Sequence, residues 1–209
     1  MEEHRLSGPE HKLERLIFFS DAVFAIAITL LVIEIHAPHL PWGSSTRDYA
    51  VALLQELPSF GGFVISFFVI GAFWAGHHRA FALARRWDDR LIAPNLLLLF
   101  AVAAMPFFTA LMSGNAGGRL PVLLYCFWLV LAGLLNIGLQ RIVTAPPVRD
   151  PTVSDAFAAQ IRRRGLAVVI GAALAFALAL IVPFPSMALM ALSTIGLWRR
   201  LLTREHLYE

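Results

Sequence analysis

Charge is scarce in this sequence, and so are cysteine and lysine. Only 15% of the 209 residues are charged, against about 25% in typical soluble domains. With 58% hydrophobic residues and a mean hydropathy of +0.71, the chain has too few polar side chains to cover itself against water. Lipid suits it better. The single cysteine, Cys126, excludes an internal disulfide framework or thiolate metal site. Its place in an apolar run reads as a small buried core residue. A net charge of +3 is too small to suggest nucleic acid. No Gly-rich phosphate loop, G-x-S-x-G elbow, H-E-x-x-H or paired-carboxylate constellation occurs, so neither an enzyme nor a small-molecule substrate or cofactor is expected. Glu2, Glu3, Glu10 and Glu14 interrupt the N-terminus, which is unlike a cleavable signal.

What is present is a series of apolar runs. A spanning helix needs about 20 mostly apolar residues. Candidates lie at 16–35, 57–76 (with an earlier start near Tyr49 left open), 91–112, 120–139, 166–182 and 187–202. Pro94 and Pro106 are candidate kinks in the third. The longest polar stretch, 140–165, holds room for an interfacial helix around 154–164. The fold class is therefore all-α: a polytopic integral membrane protein with six transmembrane helices, read as one domain over 1–209. With both termini cytoplasmic, every lysine and arginine except Arg47 and Arg119 falls on the cytoplasmic side, as the positive-inside rule requires. Trp42, Trp74, Trp87, Trp128 and Trp198 fall near helix ends, as aromatic belts do.

The first run carries ionisable residues where they are costly. Arg15, Phe19, Ser20 and Asp21 open it. An acid inside a span faces protein or water and takes a partner. Arg15, His77, His78 and Asn95 are the candidates, and Asp21 is read either as an interhelical lock or as an ion- or proton-handling group. At about 100° per residue, Ile26, Leu30 and Ile33 form one stripe, with Asp21 about 140° away from Ile26. Periodicity leaves that stripe to lipid, another subunit or a pore. His77 and His78 point about 100° apart, a poor chelating pair. Interhelical packing and pH sensing are both open to them.

Arg15-x-x-x-Phe19-Ser20-Asp21, followed by Ala22, Ile26 and Thr29, resembles the signature of the endolysosomal potassium channel family and its bacterial homologues. Trp74-x-x-His77-His78, Asn95-Leu96 and Pro106-Phe107 fit the same pattern. The resemblance covers the first three helices. It implies six-helix subunits assembled as homotetramers in the lipid bilayer of the plasma membrane, with first helices lining the pore. Ile26, Leu30 and Ile33 map to the constriction and Thr29 beside it, so a permeant potassium ion is expected near Ile26, Thr29 and Leu30. Arg15, Phe19, Ser20, Asp21, Trp74, His77, His78 and Asn95 map to the signature and its interhelical polar network, which acts as structural glue. No T-V-G-Y-G filter occurs, so an apolar ring gating by dewetting takes its place. Glu34 is either a cation-attracting ring at the outer mouth or a solvated interfacial acid. The competing readings are a proton-coupled secondary transporter using Asp21 with His77 and His78, and a non-conducting scaffold.

Overall fold

The computed structural model describes residues 8–115 and 118–181. All regular elements among them are helical: α1 Pro9–Leu30, α2 Thr46–Gln55, α3 Leu57–Phe81, α4 Ile92–Ala103, α5 Met105–Gly114, α6 Arg119–Val143 and α7 Asp155–Ala179. Among the described residues, four stretches are long and apolar enough to cross a membrane: Glu10–Glu34, Leu57–Phe81, Asp89–Gly114 and Arg119–Val143. The expected sixth span and Trp198 lie outside the described residues.

Local chemistry sets the ends. Pro9 opens α1, where its missing N–H costs nothing. Leu31–Glu34 tightens into a 3-10 turn that closes at Ile35. The linker to α2 turns at Gly43, whose φ of +88° suits a residue without Cβ. Ser45 and Asp48 form a reciprocal capping box on α2: the Asp48 N–H donates to Ser45 Oγ at 3.3 Å. The Ser45 N–H donates back to Asp48 Oδ2 at 2.8 Å. The Ser45 hydroxyl also donates to Asp48 Oδ2 at 2.8 Å, and it and the Ser45 N–H hold the Asp48 carboxyl below its ordinary range.

The third run behaves differently from a single kinked helix. Pro94 sits in the first turn of α4, where the N–H groups have no intrahelical partner, and no kink results. The break falls at Ala104, before Pro106, and separates α4 from α5. Trp128 of α6 donates its indole N–H to the Ala101 carbonyl beside that break, at 2.8 Å. The second run starts at Leu57 as expected, with α2 a separate helix before it, but α3 continues beyond Gly76 through His77 to Phe81.

The expected division between an interfacial helix at 154–164 and a span at 166–182 is corrected. Asp155–Ala179 is one continuous helix, capped by Ser154, with Arg162, Arg163 and Arg164 inside it. Arginine is a good helix former, so charge interrupts the hydropathy without interrupting the backbone. Helix α7 lies along α6 through small residues. Gly133 faces Val169, and Ala172, Ala175 and Ala179 are buried at helical spacing. Small residues let membrane helices approach closely. The core gathers Leu98, Leu99 and Met105 of α4 and α5 against Tyr125, Cys126 and Leu129 of α6. Cys126 is fully buried there, as its apolar run implied.

Candidate functional site

Helix α1 has two unlike sides. Ser20, Phe24, Ala27 and Leu31 are buried and recur at i, i+4, i+7 and i+11, so they share the face that packs on the protein. The opposite side is open. Arg15, Phe19, Ala22, Ile26, Thr29 and Ile33 are all exposed. Their spacing alternates four and three, the pattern of helices that wrap about a shared axis. Leu30 flanks the row, exposed at 40%, while Ile26 stands at 57% and Ile33 at 66%. Sequence periodicity found Ile26, Leu30 and Ile33, and the structure places all three on this open side.

Thr29 lies on the row with its hydroxyl turned back. The O–H lies 2.9 Å from the Ile26 carbonyl and 3.1 Å from that of Ala25. With the proton committed to the backbone, the hydroxyl oxygen offers lone pairs outward. Glu34 sits half-buried in the 3-10 turn above Ile33. Arg15 is exposed and has no ion pair or hydrogen bond among the described residues.

The buried side is fastened by a polar trio from three helices. Asn95 of α4 donates through Nδ2 to Ser20 Oγ at 2.9 Å. That orientation turns Asn95 Oδ1 toward His77 Nε2 of α3, 3.0 Å away. The contact requires the proton on Nε2, because Oδ1 only accepts. Ser20 passes its own proton to the Leu16 carbonyl at 2.8 Å. His77 stacks on Phe81 with ring centroids 4.4 Å apart and packs against Phe24 at 5.5 Å. All three polar residues are essentially solvent-free, so each bond spares a desolvated group.

Asp21 is partnered by a residue outside the expected set. Trp74 Nε1 donates to Asp21 Oδ1 at 2.9 Å, while Arg15, His77, His78 and Asn95 make no hydrogen bond to it. His78 stacks on the same indole, 5.6 Å between centroids. His77 is buried and His78 exposed, as their angular separation implied. Asp21, Trp74 and His78 thus form a second, more exposed clasp between α1 and α3. Among the described residues no group of three His, Cys, Asp or Glu is placed to hold a metal.

Two further polar clusters escaped the sequence reading. Thr109 of α5 donates to Ser66 of α3 at 2.7 Å, and Ser66 shares a 2.8 Å bond with Tyr125 of α6. Asn136 and Gln140 of α6 are buried against Gly76 and Gly165. Lone Ser, Thr and Tyr residues inside the apolar runs were the available signal.

Comparison with known proteins bears on this arrangement. A sequence model of the family described as "Endosomal/lysosomal potassium channel TMEM175" matches residues 15–106. A potassium channel of Streptomyces collinus is 42% identical over 99 residues, 47% of each chain. The human endosomal/lysosomal proton channel TMEM175 is 25% identical over 175 residues, 80% of this chain and 33% of that one. The crystal structure of a lysosomal potassium-selective channel TMEM175 homolog from Chamaesiphon minutus superposes with a TM-score of 0.72. It is 30% identical, over 90% of this chain and 97% of that one. The chain spans about half the length of the first curated relatives it matches.

Proposed function

We propose, on the premise that the chain belongs to the TMEM175 channel family, that it is a potassium-permeable cation channel built from four copies. The first helices surround a common axis, and Ile26, Leu30 and Ile33 face it. The observation that carries this reading is the exposed row on α1, at the spacing of helices wrapped about an axis, opposite a buried row that locks the helix to its own subunit.

The physics follows from the side chains. Four copies of Ile26 converging on an axis make an apolar neck, and a narrow apolar neck gates by dewetting. An ion passing it sheds or squeezes its hydration shell. Potassium holds its shell less tightly than sodium, so an uncompensated neck favours it modestly. The Thr29 oxygen, with its proton turned to the backbone, supplies an acceptor next to the neck. Glu34 above Ile33 adds a negative ring at the mouth. The whole chain acts as one six-helix domain of the plasma membrane. Its N-terminus faces the cytoplasm, because that orientation puts nearly all its arginines inside.

Purified protein in liposomes is expected to pass potassium down its gradient, and the Ile26→Asn variant to raise cation leak with reduced preference for potassium. Tight vesicles with no flux would refute conduction. Unchanged conductance and selectivity in the variant would remove Ile26 from the neck.

A further inference from the structure

Helix α2 is amphipathic, and its apolar side is not turned to the protein. At about 100° per residue, Tyr49, Leu53, Ala50 and Leu54 occupy one arc of about 140°. Thr46 lies within that arc, Val51 lies just past Arg47 at its edge, and Gln55, Asp48, Ala52 and Glu56 take the other side. In water such a helix buries its apolar arc on the core. Here no residue of α2 is buried. Only Ala52, with Glu56 just past the helix end, is even half-covered. Leu53 and Leu54 stand 59% and 62% exposed.

Covalent continuity fixes where this face lies. Glu56 alone separates α2 from α3, which is long and apolar enough to cross a membrane. The first span ends at Glu34, before the linker that leads to α2. The helix therefore sits at the level of a bilayer surface. Trp42, in that linker, is wholly exposed, and tryptophan with tyrosine favours the headgroup level. Arg47 lies at the edge of the apolar arc, beside Leu54, where a guanidinium reaches lipid phosphate while its stem stays in the apolar layer.

We infer that α2 is an interfacial anchor: Tyr49, Leu53 and Leu54 are covered by lipid at the headgroup–acyl boundary of the leaflet beside the C-terminal end of α1. The partner is the lipid surface. Through the linker, this anchor ties the end of α1 that carries Ile33 and Glu34 to the bilayer. It depends on the membrane architecture and stands whether or not the chain conducts.

The test uses the full chain in phosphatidylcholine–phosphatidylglycerol liposomes. Cys126 is buried, so single cysteines placed by Leu53→Cys, Leu54→Cys and Gln55→Cys take an environment-sensitive fluorophore selectively, with the unlabelled parent as control. Labels at 53 and 54 are expected to emit to the blue. Nitroxide attached to lipid should quench them several-fold more than aqueous iodide does, with the reverse order at 55, which is exposed on the opposite side. Iodide quenching at 53 and 54 equal to that at 55 would overturn the anchor. Shielding from both quenchers, with 53–53 disulfides between copies, would assign the face to a second copy and overturn it equally.

Discussion

Helix α6 and the first span are both strongly apolar, yet their surroundings differ. Half of the most apolar stretch of α6 is buried, against 22% of that running from Glu10 to Glu34. Apolarity does not drive burial when the alternative solvent is lipid. What buries α6 is surface that lets neighbours come close, such as Ala132 and Gly133 against α7 and Asn136 and Gln140 where α3 and α7 meet. The first span packs along one face, where Leu16, Ile17, Val23 and Ile28 flank the buried row, and is fastened by hydrogen bonds. Its other side is open. Substitution should therefore cost stability on α6 and on the fastened side of α1, and change behaviour without stability on the open side.

The comparison breaks most visibly at Gly133. Its added Cβ would run into Val169 Cγ2, so Gly133→Leu should cost about 1–3 kcal/mol or more from overpacking. The expected readout is a lower thermal midpoint in detergent, with partial rescue by Val169→Ala. No shift would mean that α7 slides freely along α6. Next comes Asn95→Leu, which orphans the His77 N–H and releases Ser20. Interhelical bonds in membranes cost about 0.6–1.7 kcal/mol to lose, and unfolding in graded denaturing detergent measures the loss. A variant as stable as the parent would show that the trio does not hold α1.

Trp74→Phe is expected to matter less. It removes one bond to Asp21 at a partly exposed site, about 0.5–1.5 kcal/mol, and should loosen the foot of α1 in hydrogen exchange. Equal exchange in the two proteins would leave the indole as a belt residue. The smallest stability effect belongs to Ile26→Asn. An exposed position of this kind shifts stability by about 0.5 kcal/mol or less, while the same variant alters ion flux. A large loss of stability there would put Ile26 in a packed interface, and the contrast between the two sides of α1 would fail.

Much of this arrangement was readable from the residues. The polar opening of the first run marked α1, and a single 3.6-residue count placed Ile26, Leu30 and Ile33 together. Ser20 and Asn95 were apparent because polar groups inside a span need partners. Trp74 was read as a belt residue and as a member of the signature's polar network, but not as the partner of Asp21, since hydropathy says nothing about where an indole N–H points. The arginine triplet in α7 looked like the end of a separate interfacial helix, because hydropathy windows average charge and ignore helix propensity. The Ser66–Thr109–Tyr125 cluster was hidden by its residue types. Each is mild enough to pass inside an apolar run, and only the fold brings three distant positions into contact.

The polar trio has a one-way grain. Protons point from His77 to Asn95, from Asn95 to Ser20, and from Ser20 to the Leu16 carbonyl. A Grotthuss hand-off needs every link to take a proton on one side and release one on the other. An amide does not do so readily, and a peptide carbonyl at the terminus has none to release. The trio is a cul-de-sac for a proton: it pins three helices and ends on a group with nothing to hand on.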